Sequence, residues 1–188
     1  FRYEEFVTLD KMDRAKGPLN ENHPAYCEVY NNLICNIGLF EKQITGVELS
    51  MCRNITISHN SIYDTPRAGI NISEGTWGGH IIEHNDIFNT VKETGDHGSI
   101  NSWGRDRFWH PDYNIMAQIV CEHPALILAD IVNPIIIRHN RLRCDRGWDI
   151  DLDDGSSNYQ IYDNLCLNGG IKLREGFYRT VANNILIN

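Results

Sequence analysis

Ile57-Ser58-His59-Asn60-Ser61-Ile62 and Ile82-Glu83-His84-Asn85-Asp86-Ile87 carry one pattern: an apolar residue, an Asn three positions on, and an apolar residue two beyond it. The pattern returns as Val29-Tyr30-Asn31-Asn32-Leu33-Ile34, Ile137-Arg138-His139-Asn140-Arg141-Leu142, Ile161-Tyr162-Asp163-Asn164-Leu165-Cys166 and Val181-Ala182-Asn183-Asn184-Ile185-Leu186. The wide gap between Asn85 and Asn140 holds a degenerate copy at Asn114-Ile115-Met116. With it, the Asn positions step by 28, 25, 29, 26, 24 and 20 residues. Self-similarity at such a period marks a repeat architecture.

A second motif runs in phase: apolar, any, apolar, any, acid. It reads Ile70-Asn71-Ile72-Ser73-Glu74, Leu126-Ile127-Leu128-Ala129-Asp130, Ile150-Asp151-Leu152-Asp153-Asp154 and Ile171-Lys172-Leu173-Arg174-Glu175, and three of the acids precede Gly75, Gly155 and Gly176. Val47-Glu48-Leu49-Ser50-Met51 keeps the alternation without the acid. Period two means strands with one face inward. Two short strands per repeat leave no room for a crossover helix, a propeller blade needs about 40 residues, and a leucine-rich repeat would show Leu. The expected fold is all-β: a right-handed parallel β-helix of about seven coils, one domain over residues 1–188. The recurring Asn forms a ladder at a corner, since Asn tolerates left-handed backbone and its amide can bond its neighbour one coil away. Neither end reads as a cap, so further β-helix coils or another chain are expected to continue the solenoid.

The chain has 188 residues, 41% hydrophobic and 22% charged, which argues against global disorder. A net charge of -8 disfavours non-specific nucleic-acid binding, and no apolar run approaches the length of a membrane span. Cys27, Cys35, Cys52, Cys121, Cys144 and Cys166 include no closely spaced pair and read as buried free thiols, with disulfides the alternative.

Ligands of such a fold lie along outward-facing strand columns. Aligning the second motif places Glu48, Asn71, Asp151 and Lys172 in one column, with Asn101 nearby, and Ser50, Ser73, Asp153 and Arg174 in the next. The segment Gly95-Asp96-His97-Gly98 through Trp103-Gly104-Arg105-Asp106-Arg107-Phe108-Trp109 begins as a strand and departs as a Trp/Arg-rich loop at about 103–124. Trp stacks on the flat C–H faces of sugars while charged groups take the hydroxyls. Trp103, Arg105, Arg107 and Trp109 therefore read as sugar contacts, against a loop packed on itself.

Trp148-Asp149-Ile150-Asp151-Leu152-Asp153-Asp154 is the second unusual segment. Alternation puts Asp149, Asp151 and Asp153 on one face, about 7 Å apart in succession. Such neighbours raise one another's pKa, pair with Lys172 and Arg174, or take Ca²⁺, although the Gly and terminal Glu of an EF-hand loop are missing. A raised pKa suits a general acid. Asp96, counted two coils away, starts about 9–10 Å from this trio, closer to the spacing of inverting glycosidases (about 6.5–9.5 Å) than to that of retaining ones (about 5–5.5 Å).

On these two segments and the repeat, the chain resembles the pectate-lyase-like right-handed β-helix superfamily of carbohydrate-active enzymes, and among them glycoside hydrolase family 141, with its α-L-fucosidase and xylanase activities. The resemblance implies a pair of catalytic aspartates, Asp96 with one of Asp149, Asp151 and Asp153, or Asp112 as an outside candidate. It also implies an extracellular or periplasmic location. The expectation is a glycosidase acting on a poly- or oligosaccharide. Asn71, His97, Asn101, Trp103, Arg105, Arg107, Trp109, Asp153, Lys172, Arg174 and Glu175 would position substrate, with no cofactor. Two alternatives stay open. One is a polysaccharide lyase or epimerase using Ca²⁺ at Asp149, Asp151 and Asp153, with Lys172, Arg174 or His97 as proton acceptor. The other is a non-catalytic glycan-binding β-helix.

Overall fold

Alternating aliphatic residues in short runs form strands of three to six residues, and each circuit of the chain lays one strand on each of three sheets. The computed structural model describes residues 13–73 and 77–188; Glu74 and Gly75 of the second motif lie outside the described residues. The strands run β1 (Glu28–Tyr30), β2 (Leu33–Cys35), β3 (Val47–Leu49), β4 (Thr56–Ser58), β5 (Ser61–Tyr63), β6 (Ile70–Ile72), β7 (Ile81–Glu83), β8 (Asp86–Phe88) and β9 (Gly98–Trp103). After an excursion follow β10 (Ile135–Arg138), β11 (Arg141–Arg143), β12 (Trp148–Asp153), β13 (Tyr159–Tyr162), β14 (Leu165–Leu167), β15 (Ile171–Leu173), β16 (Arg179–Ala182) and β17 (Ile185–Ile187). Every third strand pairs, giving the orders β1-β4-β7-β10-β13-β16, β2-β5-β8-β11-β14-β17 and β3-β6-β9-β12-β15 among the described residues. All these pairings are parallel, an arrangement consistent with a parallel β-helix.

Registered pairing aligns apolar residues, most of them isoleucine, into internal columns. Ile57, Ile82, Ile137 and Ile161 are successive partners, as are Ile62, Ile87, Leu142 and Cys166, and Ile70, Ile100 and Ile150. All eleven are solvent-free. At the rate of about 1.5–3 kcal/mol per fully buried aliphatic side chain, these columns dominate the favourable side of folding.

The expected asparagine ladder is present. Asn32, Asn60, Asn85, Asn140 and Asn164 each donate from Nδ2 to Oδ1 of the next rung, at 2.9, 2.9, 3.0, 3.0 and 2.9 Å, the last acceptor being Asn184. Each backbone N–H bonds the same oxygen, so one carbonyl closes two buried donors. The left-handed backbone falls one residue earlier than expected: Asn31, His59, His84, His139, Asp163 and Asn183 carry φ of 54–58°. The ladder Asn is thus chosen for its amide, and the corner conformation belongs to its predecessor. The three corner histidines stack at 5.0 Å between successive ring centroids.

Residues 104–134 leave the sheets, and two repeat copies read from the sequence dissolve there. Asn114 lies in helix α1 (Tyr113–Glu122), whose N-cap Asp112 accepts from the Asn114 N–H at 2.8 Å. Asn85 therefore donates directly to Asn140 across the excursion. Leu126-Ile127-Leu128 lies in a 3₁₀ helix (Pro124–Leu128) whose first residue, a proline, has no N–H to give a ladder. Phe108, Trp109, Met116, Ile119, Leu126, Ile127 and Ala129 form a second core of their own. The segment expected as a loop at about 103–124 thus contains a helix over most of its second half.

All six cysteines are free thiols, but only Cys52, Cys144 and Cys166 are buried; Cys27 and Cys121 are exposed and Cys35 is half-buried. Burial raises the Cys52 thiol to about 11 and Cys166 to about 12, so these two are inert. Among the described residues no helix is long and apolar enough to cross a membrane.

Candidate functional site

Register builds the site. Glu48, Asn71, Asn101, Asp151 and Lys172 are successive partners across β3, β6, β9, β12 and β15, so the outward column read from sequence exists and includes Asn101. Side-chain bonds run along it: Asn71 Nδ2 donates to both Glu48 oxygens at 2.9 and 3.0 Å, and Asn101 Nδ2 donates to Asn71 Oδ1 at 2.9 Å. In the next column Asp153 pairs with Trp103.

Asp96, Asp151 and Asp153 bring carboxylate oxygens within 4.8 Å of one another. The Lys172 ammonium sits among them, 3.0 Å from Asp96, 3.1 Å from Asp151 and 3.5 Å from Asp153. Asp151 is fully buried. Its Oδ2 accepts from Lys172 at 3.3 Å, while Oδ1 meets the ammonium at an angle that makes no hydrogen bond. Burial pushes its pKa up to about 6 against the pull of Lys172. Asp153, two residues along, is also pushed up by burial, but the Arg174 hydrogen bond at 2.7 Å and the Lys172 charge outweigh this and hold it below the ordinary carboxylate range. One strand thus presents two carboxyls with pKa values driven apart, the arrangement that separates proton donor from carboxylate in acid–base sites.

The separation is shorter than the sequence reading expected. β9 and β12 are adjacent, because the excursion replaces the coil that had been counted between them, so Asp96 faces Asp151 from the neighbouring circuit. One oxygen of each carboxylate therefore lies within 4.8 Å of the other, well inside the spacing expected for residues two coils apart.

Asp149 does not join the trio. Its oxygens accept from the backbone N–H of Cys144, Gly169 and Gly170 at 2.8, 2.9 and 2.8 Å, which holds two turns in place with the side chain fully buried. The set Asp149, Asp151 and Asp153 does not converge, and the trio that does converge already surrounds an ammonium. Any cation would be held by Asp96, Asp151 and Asp153 in place of the Lys172 ammonium.

The aromatic loop divides. Trp103 and Arg105 line the groove, the guanidinium 5.2 Å from the Trp103 ring centroid and Nε donating to Asp154 at 2.9 Å. Arg107 and Trp109 are buried instead. Arg107 bonds Asp130 through Nε at 2.8 Å and donates to the carbonyls of Asp13, Ala15, Gly17 and Ala129, stapling the N-terminal segment to the excursion. Trp109 packs in the second core and its Nε1 donates to Glu175 at 2.9 Å, so neither Trp109 nor Glu175 presents a free face to substrate. Asp112 caps α1 and is not among the carboxylates that converge.

A groove of ≈ 560 Å³ runs beside the cluster, lined by Arg67, Asp96, His97, Asn101, Trp103, Arg105, Asp153, Asp154 and Arg174. No family model, curated protein or solved structure matches the chain. The groove's geometry alone carries the functional reading. Arg67 escaped the sequence analysis, and Asp154 entered it only as the acid of the second motif. Extending the pairing of Ile70 with Ile100 three residues upstream sets Arg67 opposite His97, which is the signal that could have found it.

His97 is not a free proton acceptor. Its Nε2 accepts from Arg67 Nε at 3.3 Å, so Nδ1 carries the hydrogen and donates to Thr94 Oγ1 at 2.9 Å. Burial, then the Arg67 charge, lower its pKa to about 4, so the ring is neutral.

Proposed function

We propose that this chain is a glycoside hydrolase on a right-handed parallel β-helix, with Asp151 as proton donor and Asp96 as base or nucleophile. The carrying observation is the buried Asp151 carboxyl, raised to about 6, within 4.8 Å of the solvent-facing Asp96 carboxyl beside a Trp-lined groove. Right-handedness rests on the general chirality of parallel connections, and the aspartate pair agrees with the family resemblance. Close carboxyls favour retention: Asp151 protonates the departing oxygen while Asp96 attacks the anomeric carbon, and water then hydrolyses the glycosyl-enzyme with Asp151 as base. Asp153 and Arg174 fix the cluster, Trp103 stacks on the sugar, and Lys172 leaves Asp151 when substrate enters.

The lyase reading is weaker. Of the acceptors it could use, His97 already accepts from Arg67, and the hydrogen bond to Asp153 raises the Arg174 pKa, which leaves Lys172. Burial alone would lower the Lys172 pKa, but hydrogen bonds to Asp96 and Asp151 outweigh burial and raise it, the wrong direction for a base.

Reducing-end release on a neutral and acidic oligosaccharide panel tests the proposal. Asp151→Asn and Asp96→Asn should each lower kcat at least about 10³-fold, roughly 4 kcal/mol of barrier, with the melting temperature nearly kept. For the wild type, kcat/KM should fall as pH rises through about 6, where Asp151 loses its proton. Glycan binding by the wild type without turnover would leave the molecule a binding module.

A further inference from the structure

Four cationic side chains surround the groove, and three are spoken for. Arg105 pairs with Asp154, Arg174 with Asp153, Asp154 and Glu175, and Lys172 with Asp96, Asp151 and Asp153. Arg67 has no carboxylate within ion-pair distance among the described residues, although it is only 9% exposed and lines the groove. Of its donors, Nε is committed to the neutral ring of His97. The nearest negative influence is Glu48, whose oxygens are taken by Asn71 and Thr45. Burying a guanidinium without a counter-charge is costly, and proteins normally pair or expose it. Here the cost is retained, and the side chain is held in place: Thr94 fixes the His97 tautomer and His97 fixes the planar Arg67 fork.

We propose that Arg67, oriented by His97, is an anion subsite that recognises a negatively charged substituent, carboxylate or sulfate, on the sugar in this groove. The inference rests on the groove being a glycan site, and it adds a class of substrate that composition argues against, since the chain's net charge of -8 repels anions at long range. A single desolvated guanidinium overcomes that repulsion locally, because its two remaining NH₂ groups match the two oxygens of a carboxylate or two of a sulfate. His97 acts as a positioning residue, and its hydrogen bond leaves Arg67 free to turn only its outer edge toward the ligand.

The test is calorimetric titration of the whole chain, kept apart from any turnover assay. The probes are a galacturonate trisaccharide, its fully methyl-esterified form, and a sulfated galactose trisaccharide. Binding of at least one anionic trisaccharide should exceed that of the neutral ester by about 10- to 100-fold, the scale of a charged hydrogen-bonded pair. Arg67→Gln should erase that preference while leaving the neutral ester's affinity within about twofold, and Arg67→Lys should keep part of it. His97→Gln should weaken anion binding less than Arg67→Gln, with its melting temperature as the folding control. Preference for the uronate or for the sulfate identifies the source of the charge. Equal affinity for charged and neutral probes, or a preference unchanged in Arg67→Gln, overturns the proposal. Charge-selective binding without bond cleavage leaves the subsite standing and removes only the hydrolase reading.

Discussion

The sheets and the excursion at 104–134 are built on opposite principles. In the sheets many inward side chains and the ladder asparagines meet a copy of themselves one circuit away, so the same isoleucine or asparagine solves the same problem many times. In the excursion nothing repeats: Arg107 alone ties Asp130 to three carbonyls of the 13–17 segment, and one helix supplies one apolar face. The candidate site lies at the seam, with Asp151, Asp153, Lys172 and Arg174 from the regular part, and Arg105 from the start of the irregular one. Repetition supplies a rigid row of outward side chains, and the break in repetition brings Asp96 against Asp151. A regular extra circuit would have kept the two carboxyls apart.

Three substitutions sharpen that contrast. Asn85→Ala removes the acceptor of Asn60 N and Nδ2 and the donor to Ile57 O and Asn140 Oδ1, all buried. At about 1–3 kcal/mol per stranded group, with partial relaxation, equilibrium unfolding should lose about 4 kcal/mol in one cooperative transition. A loss under about 1 kcal/mol would show that the ladder is ornamental rather than structural.

Arg107→Met leaves the buried Asp130 carboxylate without its counter-charge, keeping only the backbone N–H of residue 107 at 2.6 Å, and frees the 13–17 carbonyls, at about 3 kcal/mol. Hydrogen exchange should quicken in 13–17 and 104–134 while β4, β7 and β10 keep their protection. Uniform loss of protection across the sheets would mean that the two regions form one cooperative unit.

The smallest effect is that of pH on His80, which is buried and whose Nδ1 accepts from Ile55 N at 3.2 Å. Burial lowers its pKa from 6.5 to about 4, so its contribution is complete above pH 6.5 and is lost as pH falls towards 4. Between pH 7.5 and 4.5 this amounts to about 2 kcal/mol. His97 acts with the same sign, whereas Asp151, with a raised pKa, gains stability as pH falls. His80→Asn keeps an acceptor for Ile55 without titrating, so the gap between variant and parent should narrow in acid. A constant gap would refute this assignment.

What could be read in the sequence follows from the same division. Period two and the Asn spacing locate the outward row from Glu48 to Lys172, because register in a sheet follows from the pattern itself. Alternation also puts Asp149 on that face, but it cannot show that the amides of Gly169 and Gly170 turn its carboxylate away from the trio. Asn114 matched the repeat by type alone, and the Asp112 cap together with the buried Met116 and Ile119 made its segment a helix. Arg67 belongs to no motif, and its importance comes from what does not surround it.

The asparagine ladder has a direction. From Asn32 to Asn164 each rung gives its NH₂ to the oxygen of the higher-numbered neighbour, so five amide-to-amide bonds point the same way. Aligned amide dipoles polarise one another, so the column acts as a vector rather than as a row of independent pegs. Reversing a single amide would set two oxygens face to face on one side and two NH₂ groups on the other. Each new rung therefore has only one way to join, and the column proofreads the alignment of every circuit laid upon it.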